Sequence, residues 1–248
     1  MKKIVLLIFF AFFCFQNSWA AITLLGTACA GDTSGGTVTN ITTSAINTTG
    51  ASLIVISIGY STINGYATPT DSQNNTWTIA TSSGLDNFEG TVVYYVANPS
   101  TSSSHTFSEN TSYHGFCVEA FSGTATSSPL DVYNSNIPGN TGSLQTGSVA
   151  PNHNNELIVA SYSNYCSGTN ATINSGFTIP TNGQILCVGG TYYGAAMAYL
   201  VQTTAAAVNP TWTSGAGFAA EAVIAAFKAS TQYNVINNAK INHAKFGF

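Results

Sequence analysis

Arginine does not occur in this 248-residue chain, and lysine is confined to its ends, at Lys2, Lys3, Lys228, Lys240 and Lys245. All nine acidic residues fall in the span between, which holds no lysine. Nucleic acid is therefore a poor partner, because phosphate binding is driven by clustered Lys and Arg. Attachment to anionic lipid is disfavoured for the same reason. Charged residues make up 6% of the chain, far below the ~25% of typical domains. Low charge does not imply disorder here: 44% of residues are apolar and 12% aromatic, enough for a large core. Ser, Thr, Asn and Gly take the place of charge on the expected surface, which suits a protein that meets sugars or other neutral surfaces. Catalytic and nucleotide signatures are missing too. There is no Gly-x-Ser-x-Gly, no His-Glu-x-x-His, no phosphate loop and no dinucleotide fingerprint. No Cys/His spacing of the zinc type occurs.

What is present begins with an export signal. Lys2 and Lys3 precede the apolar run Ile4 to Phe15, which Gln16 and Asn17 end. The run is long enough for a signal peptide and too short to span a bilayer. Ser18-Trp19-Ala20 supplies a cleavage site before Ala21. Residues 1–20 are expected to be removed and the remainder to be secreted, extracellular or at the cell surface. No later segment is apolar enough to insert as a helix once the signal is gone. Four cysteines then remain, and an even count in an exported chain predicts two disulfides. The preferred pairing is Cys166 with Cys187, close in sequence, and Cys29 with Cys117. Cys29 is not a lipoprotein cysteine, since Gly26 stands where a large aliphatic residue belongs.

The body reads as β-structure. Leu53–Ile58, Thr91–Val96 and Leu157–Ser161 are rich in β-branched and aromatic residues, separated by turn clusters such as 69–75 and 180–183. Five segments recur in order at an offset of 104 to 106 residues, except at the second pair, where one loop is shorter. Leu53-Ile-Val-Ile-Ser matches Leu157-Ile-Val-Ala-Ser, and Trp77-Thr-Ile matches Phe177-Thr-Ile. Gly90-Thr-Val-Val-Tyr-Tyr-Val matches Gly194-Ala-Ala-Met-Ala-Tyr-Leu. Thr106-Phe-Ser matches Thr211-Trp-Thr, and Val118–Phe121 matches Ile224–Phe227. The repeat predicts strands over Ala195–Val201 and Ala219–Phe227, whose alanines would otherwise favour helix. A period near 100 residues is too long for a solenoid. The expectation is all-β: one two-layer antiparallel β-sandwich of jelly-roll type, residues 21–230, with a shared core and an internal duplication. Its halves cover about 50–125 and 154–229, and 231–248 form a flexible tail.

Asp71-Ser-Gln-Asn-Asn-Thr-Trp77, Glu119-Ala-Phe-Ser-Gly123, Ser128-Pro-Leu-Asp131, Asn155–Ala160 and Ser175–Thr178, with a closing Ala-Ala-Phe-Lys strand, form an ordered series. The series resembles β-sandwich domains that recur in large bacterial secreted and surface proteins, adhesins among them, and in some phage structural proteins. The resemblance covers about Ile22 to Ala229. It implies adhesion or glycan binding more than catalysis and brings no catalytic residue set.

Candidate chemistry is sparse. Gly31–Gly36 is close to the active-serine loop of trypsin-like proteases but has an extra Thr33, and every histidine follows it, whereas those enzymes place His and Asp before the serine. His105, His114, His153 and His243 show no ligand spacing, although His105 and His114 could share a metal. Glu119 enters an apolar strand position and needs a partner. The expected partner is the loop running to Asp131. An acid held neutral is the alternative, and a glycosidase pair with Asp131 or Glu109 a further one. Oxygen-rich loops offer a calcium site at Asp71, Asp86 and Glu89, with Asn74 and Asn75 beside them. No other cofactor is expected. Aromatics without a counterpart in the other half are the candidate sugar platforms: Tyr60, Tyr66, Phe88, Tyr133, Tyr165 and Tyr192. Tyr60, Tyr66, Asp71, Asn74, Asn75 and Tyr165 form the expected ligand site.

The leading expectation is a secreted, non-catalytic binding or adhesion domain for glycan or cell-surface ligands. A self-assembling extracellular subunit, a secreted glycoside hydrolase and an outer-membrane barrel are the alternatives. The sequence leaves the oligomeric state open.

Overall fold

A computed structural model describes residues 17–32, 38–83, 89–112, 114–136, 142–165, 170–186, 193–214 and 220–233. They are all β or irregular, with no helix. After β1 (Asn17–Trp19) the first half contains β2 (Thr23–Gly31), β3 (Ile41–Thr42), β4 (Leu53–Ser61), β5 (Thr70–Asp71), β6 (Thr78–Ser83), β7 (Glu89–Ala97), β8 (Phe107–Glu109) and β9 (His114–Ser122). The second half repeats them as β10 (Leu130–Asn136), β11 (Ser143–Gln145), β12 (Glu156–Tyr165), β13 (Thr172–Ile173), β14 (Gln184–Ile185), β15 (Tyr193–Gln202), β16 (Thr211–Thr213) and β17 (Ala220–Phe227). β18 (Thr231–Tyr233) closes the described chain and pairs with β1.

Each half has a five-stranded antiparallel sheet, in the order β2-β9-β4-β7-β6 or β10-β17-β12-β15-β14, and a three-stranded one, β3-β8-β5 or β11-β16-β13. This is jelly-roll order. The duplication holds to the residue: Leu53 faces Ala97 and Phe121 across β4, and Leu157 faces Val201 and Phe227 across β12. The alanine-rich segments are strands β15 and β17, as the repeat predicts. The repeat unit is larger than the five matched segments, because β2 and β3 have counterparts in β10 and β11.

The expected shared core is replaced by three. In each half one core fills the space between the five- and three-stranded sheets, with Ile54, Ile56, Val92 and Phe107 in the first and Ile158, Ala160, Ala196 and Trp212 in the second. The third lies between the two five-stranded sheets, which stack face to face and bury Leu53, Val55, Phe121, Leu157, Val159, Met197 and Phe227. The two-layer sandwich thus occurs twice, back to back. β4 and β17 are buried along their whole length, and β12 up to its last residue, Tyr165, because both their faces are covered. Full burial of such a side chain contributes about 1.5–3 kcal/mol.

The stack has an approximate twofold axis. Ser57 and Ser161, which are equivalent positions, share a hydrogen bond between their hydroxyls. Tyr95 meets Phe227 edge-on at 5.5 Å, and the equivalent pair Tyr199 and Phe121 meets at 5.3 Å. Toward the other end the sheets come closest. A Cβ on Gly59 would stand 2.3 Å from the carbonyl oxygen of Gly194, so only glycine fits. There Thr91 and Ser163 share a hydrogen bond, and Ser83 donates to Glu221.

Cys29 and Cys117 face each other on β2 and β9 and form a disulfide. Cys166 and Cys187 lie outside the described residues, as do Asp86, Phe88, Tyr192 and most of the 31–36 segment. The first three residues of the expected tail form β18. Its partner β1 lies in the expected signal peptide, so cleavage after Ala20 would remove that ribbon. The five-stranded sheets are open, with edges at β2, β6, β10 and β14, and no closed barrel occurs among the described residues.

Glu119 occupies the middle layer between Thr27 and Val55 of the adjacent strands, on the face that carries Cys117 and Phe121. It is fully buried and neither carboxylate oxygen has a hydrogen-bond partner. The expected anchor to the loop before Asp131 is not made. Burial pushes its pKa up to about 8, so it is the alternative, an acid held neutral, that the structure supports. A folded-state pKa above the unfolded value means the folded chain holds the proton more tightly. Glu119 therefore contributes its full share of stability below about pH 4.5 and loses it as pH rises toward 8, by on the order of a few kcal/mol. Glu119→Gln should match the parent near pH 5 and exceed it increasingly up to pH 8.5. Thermal denaturation across that range checks this, and parallel curves for the two proteins would contradict it.

Candidate functional site

The expected ligand residues separate into three places. Tyr60 and Tyr66 meet edge-on at 4.6 Å, and Tyr66 lies 6.2 Å from Tyr94. Tyr60 is buried in the first core, and its hydroxyl donates to the backbone of Ser83 at 3.2 Å. Burial raises the pKa of that phenol. Its ring presents no face to solvent, so it is a core residue and not a sugar platform. Tyr165 belongs to the other half, edge-on to Tyr193 at 5.2 Å.

Asp71, Asn74 and Asn75 form one tight turn. Asp71 Oδ1 accepts from the backbone N–H of Gln73 at 2.8 Å and from Asn75 Nδ2 at 3.1 Å, and Oδ2 accepts from Trp77 Nε1 at 3.0 Å. Asn74 takes a left-handed backbone, φ 56°, which asparagine tolerates. His105 Nε2 is 2.9 Å from Asp71 Oδ1, and its Nδ1 is 2.9 Å from Thr48 Oγ1. The Thr–His–Asp order is that of a catalytic triad, yet Thr48, His105 and the Asp71 side chain are wholly buried. A nucleophile without access does no chemistry, so the chain acts as internal bracing. The second half dispenses with it. Asp71, opposite Phe107, is repeated by Ile173, opposite Trp212, and His105, two residues before Phe107, is repeated by the buried Pro210, two before Trp212.

His105 and His114 do not share a metal, because each meets its own carboxylate. His114 Nε2 lies 2.7 Å from Glu109 Oε2, with both side chains buried. Burial alone would raise Glu109, but His114, the N–H of Ala67 and Thr111 outweigh it and hold its pKa below the usual carboxylate range. The expected calcium set is not assembled either. Asp71 is in the outer sheet, Glu89 begins β7 of the inner one and is buried, and Asp86 lies outside the described residues. The glycosidase pairs fail because Glu119 is sealed between the sheets.

Two surface features remain. The first is a groove of about 370 Å³ between β6 of one half and β10 of the other, lined by Ile79, Thr81, Ser82, Tyr133, Asn134 and Ser135. No lining residue carries a charge. Tyr133 is 59% exposed, so its ring is available to a ligand, and Ile79 is exposed beside it. The twofold-related groove between β2 and β14 holds about 330 Å³ and is lined by Ala28, Cys29, Ser44, Asn182, Gln184 and Ile185, with no aromatic. The counterpart of Tyr133 on β2 is Thr27, since Tyr133 faces Ala225 as Thr27 faces Glu119. The sequence flagged Tyr133 as unmatched but gave no sign that β6 would lie beside it.

The second feature is a cluster of Asp131, His153 and Glu156 at one end of the second half. Burial first, then the charge of Asp131, pushes Glu156 up to about 7, partly offset by the backbone of His153 and by Lys228. Burial also acts to raise Asp131, but the donors of Asn152, with Glu156 and His153, hold it below its usual range. Comparison of the chain with protein-family models, curated proteins and solved structures gives no match.

Asp71→Ala should lower stability by about 2–5 kcal/mol, because it strands the buried donors of His105 and Trp77. Urea denaturation measures this, and a loss under about 1 kcal/mol would show that the turn does not depend on the carboxylate.

Proposed function

We propose that this chain is an exported, non-catalytic binding domain that recognises neutral carbohydrate, free or on a cell surface, through the groove between β6 and β10. The observation that supports the reading most is the exposed ring of Tyr133 in a lining of hydroxyl and amide side chains without charge. A flat ring stacks on the apolar face of a pyranose, and neighbouring Ser, Thr and Asn side chains suit its hydroxyls. With no Lys, Arg or His in its lining, the groove supplies no positive charge to offset a phosphate or carboxylate ligand. The apolar run at residues 4–15 and the disulfide between Cys29 and Cys117 fit an oxidising, extracytoplasmic destination.

The position of Tyr133 on an edge strand is not required by the fold, since β2 serves the same place with Thr27. That freedom is what a binding residue grafted on a duplicated scaffold would show.

A glycan array probed with the purified, oxidised protein tests the reading. Binding to a defined set of neutral glycans is expected, weakened about tenfold by Tyr133→Ala, equivalent to ~1.4 kcal/mol. Tyr133 is exposed, so the variant should retain the parental melting temperature. No binding by folded protein, or binding that Tyr133→Ala leaves unchanged, would sink the proposal. Elution as large assemblies with an inert array would favour the self-assembling subunit instead.

A further inference from the structure

Glu156 opens β12 with its side chain fully buried. Neither of its oxygens receives a hydrogen bond of good geometry. The groups that act on it electrostatically are the Asp131 carboxylate, the backbone of His153 and Lys228. Nothing in the fold requires a carboxylate there. The equivalent position in the first half is Ser52, whose hydroxyl bonds Thr124 at 2.7 Å and the backbone of Phe121 at 3.3 Å. Asp131 has a similar history. It sits in a β-bulge between Leu130 and Tyr133, and the matching bulge between Leu24 and Gly26 carries Leu25. Bulges re-aim side chains and recur beside functional sites. The second half thus places two acids where the first has a leucine and a serine.

The third member is His153, exposed and three residues before Glu156. One donor atom from each residue lies within 4.8 Å of the other two. Asn152 orients Asp131, its backbone N–H donating to Oδ2 at 2.7 Å and its Nδ2 to Oδ1 at 3.0 Å. Nδ2 also reaches Oδ2 at 3.1 Å, so the lone pair left free for a ligand is on Oδ1. Among the described residues no ion pair joins Lys228 to either carboxylate. Two carboxylates this close, one of them fully buried, are relieved either by a shared proton or by a cation held between them.

We infer that Asp131, His153 and Glu156 bind one divalent cation of the zinc type. Two carboxylates and one imidazole suit such an ion, whereas calcium takes oxygen donors alone. Three protein ligands leave at least one coordination position open. Beside the cluster is a cavity of about 370 Å³, lined by His153, Lys228, Thr126 and Ser127 among others. An ion held there would face a space able to take water or a small anion, with Lys228 at its wall. This site is separate from the groove at Tyr133 and does not depend on the carbohydrate reading.

Titration calorimetry with zinc chloride on the purified, tag-free chain is the test, alongside melting curves with and without zinc. The expected result is one zinc per chain and a raised melting temperature. His153→Ala and Glu156→Gln should each weaken binding at least about tenfold, since even loss of a partner to a metal ligand costs that much. Both variants should melt at or above the parental temperature without zinc, because one changes an exposed residue and the other removes a buried charge. Tyr133→Ala should bind zinc normally. No stoichiometric binding, binding that both variants retain in full, or a preference for calcium over zinc would overturn the inference.

Discussion

The face-to-face docking of the two five-stranded sheets is the constraint on which the rest of the molecule depends. Neither half can cover the outer face of its own five-stranded sheet, because its three-stranded sheet occupies the other side. Leu53, Val55 and Phe121 of one half and Leu157, Val159 and Phe227 of the other would face water if the halves parted. Burying that surface is strongly favourable. The layer is also selective in shape. Gly59 and Gly194 allow the backbones to approach at one end, while two edge-on aromatic pairs hold them apart at the other. The result is an isologous interface inside one chain, with Ser57 meeting Ser161 at its axis as equivalent residues meet in a twofold dimer.

Much of this was legible in the sequence. Five matched segments located the duplication and overrode the helix propensity of Ala195–Val201 and Ala219–Phe227. The signal for the extra layers was also present. Leu53-Ile-Val-Ile is a continuous apolar run, and a strand covered on one face only would alternate. Such a run means burial on both faces, hence a second sheet behind the first. The site was less legible because it depends on which edges come together. Tyr133 was visible as an unmatched aromatic, but its neighbour Ile79 lies on a strand of the other half. Glu156 and His153 form a His-x-x-Glu spacing whose meaning appears only when Asp131 is brought beside it. Matching Glu156 to Ser52 would have exposed an acid where the other half has a serine. Asp71 and Tyr60 misled for the opposite reason, since turn and strand-end residues that look available to a ligand were engaged inside the fold.

The two halves share a scaffold and differ in where they place polar chemistry. The first half keeps it inside, in the linked Thr48, His105 and Asp71 and in the pair of His114 and Glu109. The second half fills the places of Asp71 and His105 with Ile173 and Pro210, and carries Tyr133 on the groove and His153 at the end of the stack at its surface. Duplication makes such division easy, because one copy can maintain the fold while the other changes at its edges.

If the middle layer governs the fold, the halves cannot melt separately. Differential scanning calorimetry of the intact protein tests this directly. The account predicts one transition whose calorimetric and van't Hoff enthalpies agree. Two resolved transitions, each with about half the total enthalpy, would mean that the sandwiches are independent domains and that the layer between them is incidental.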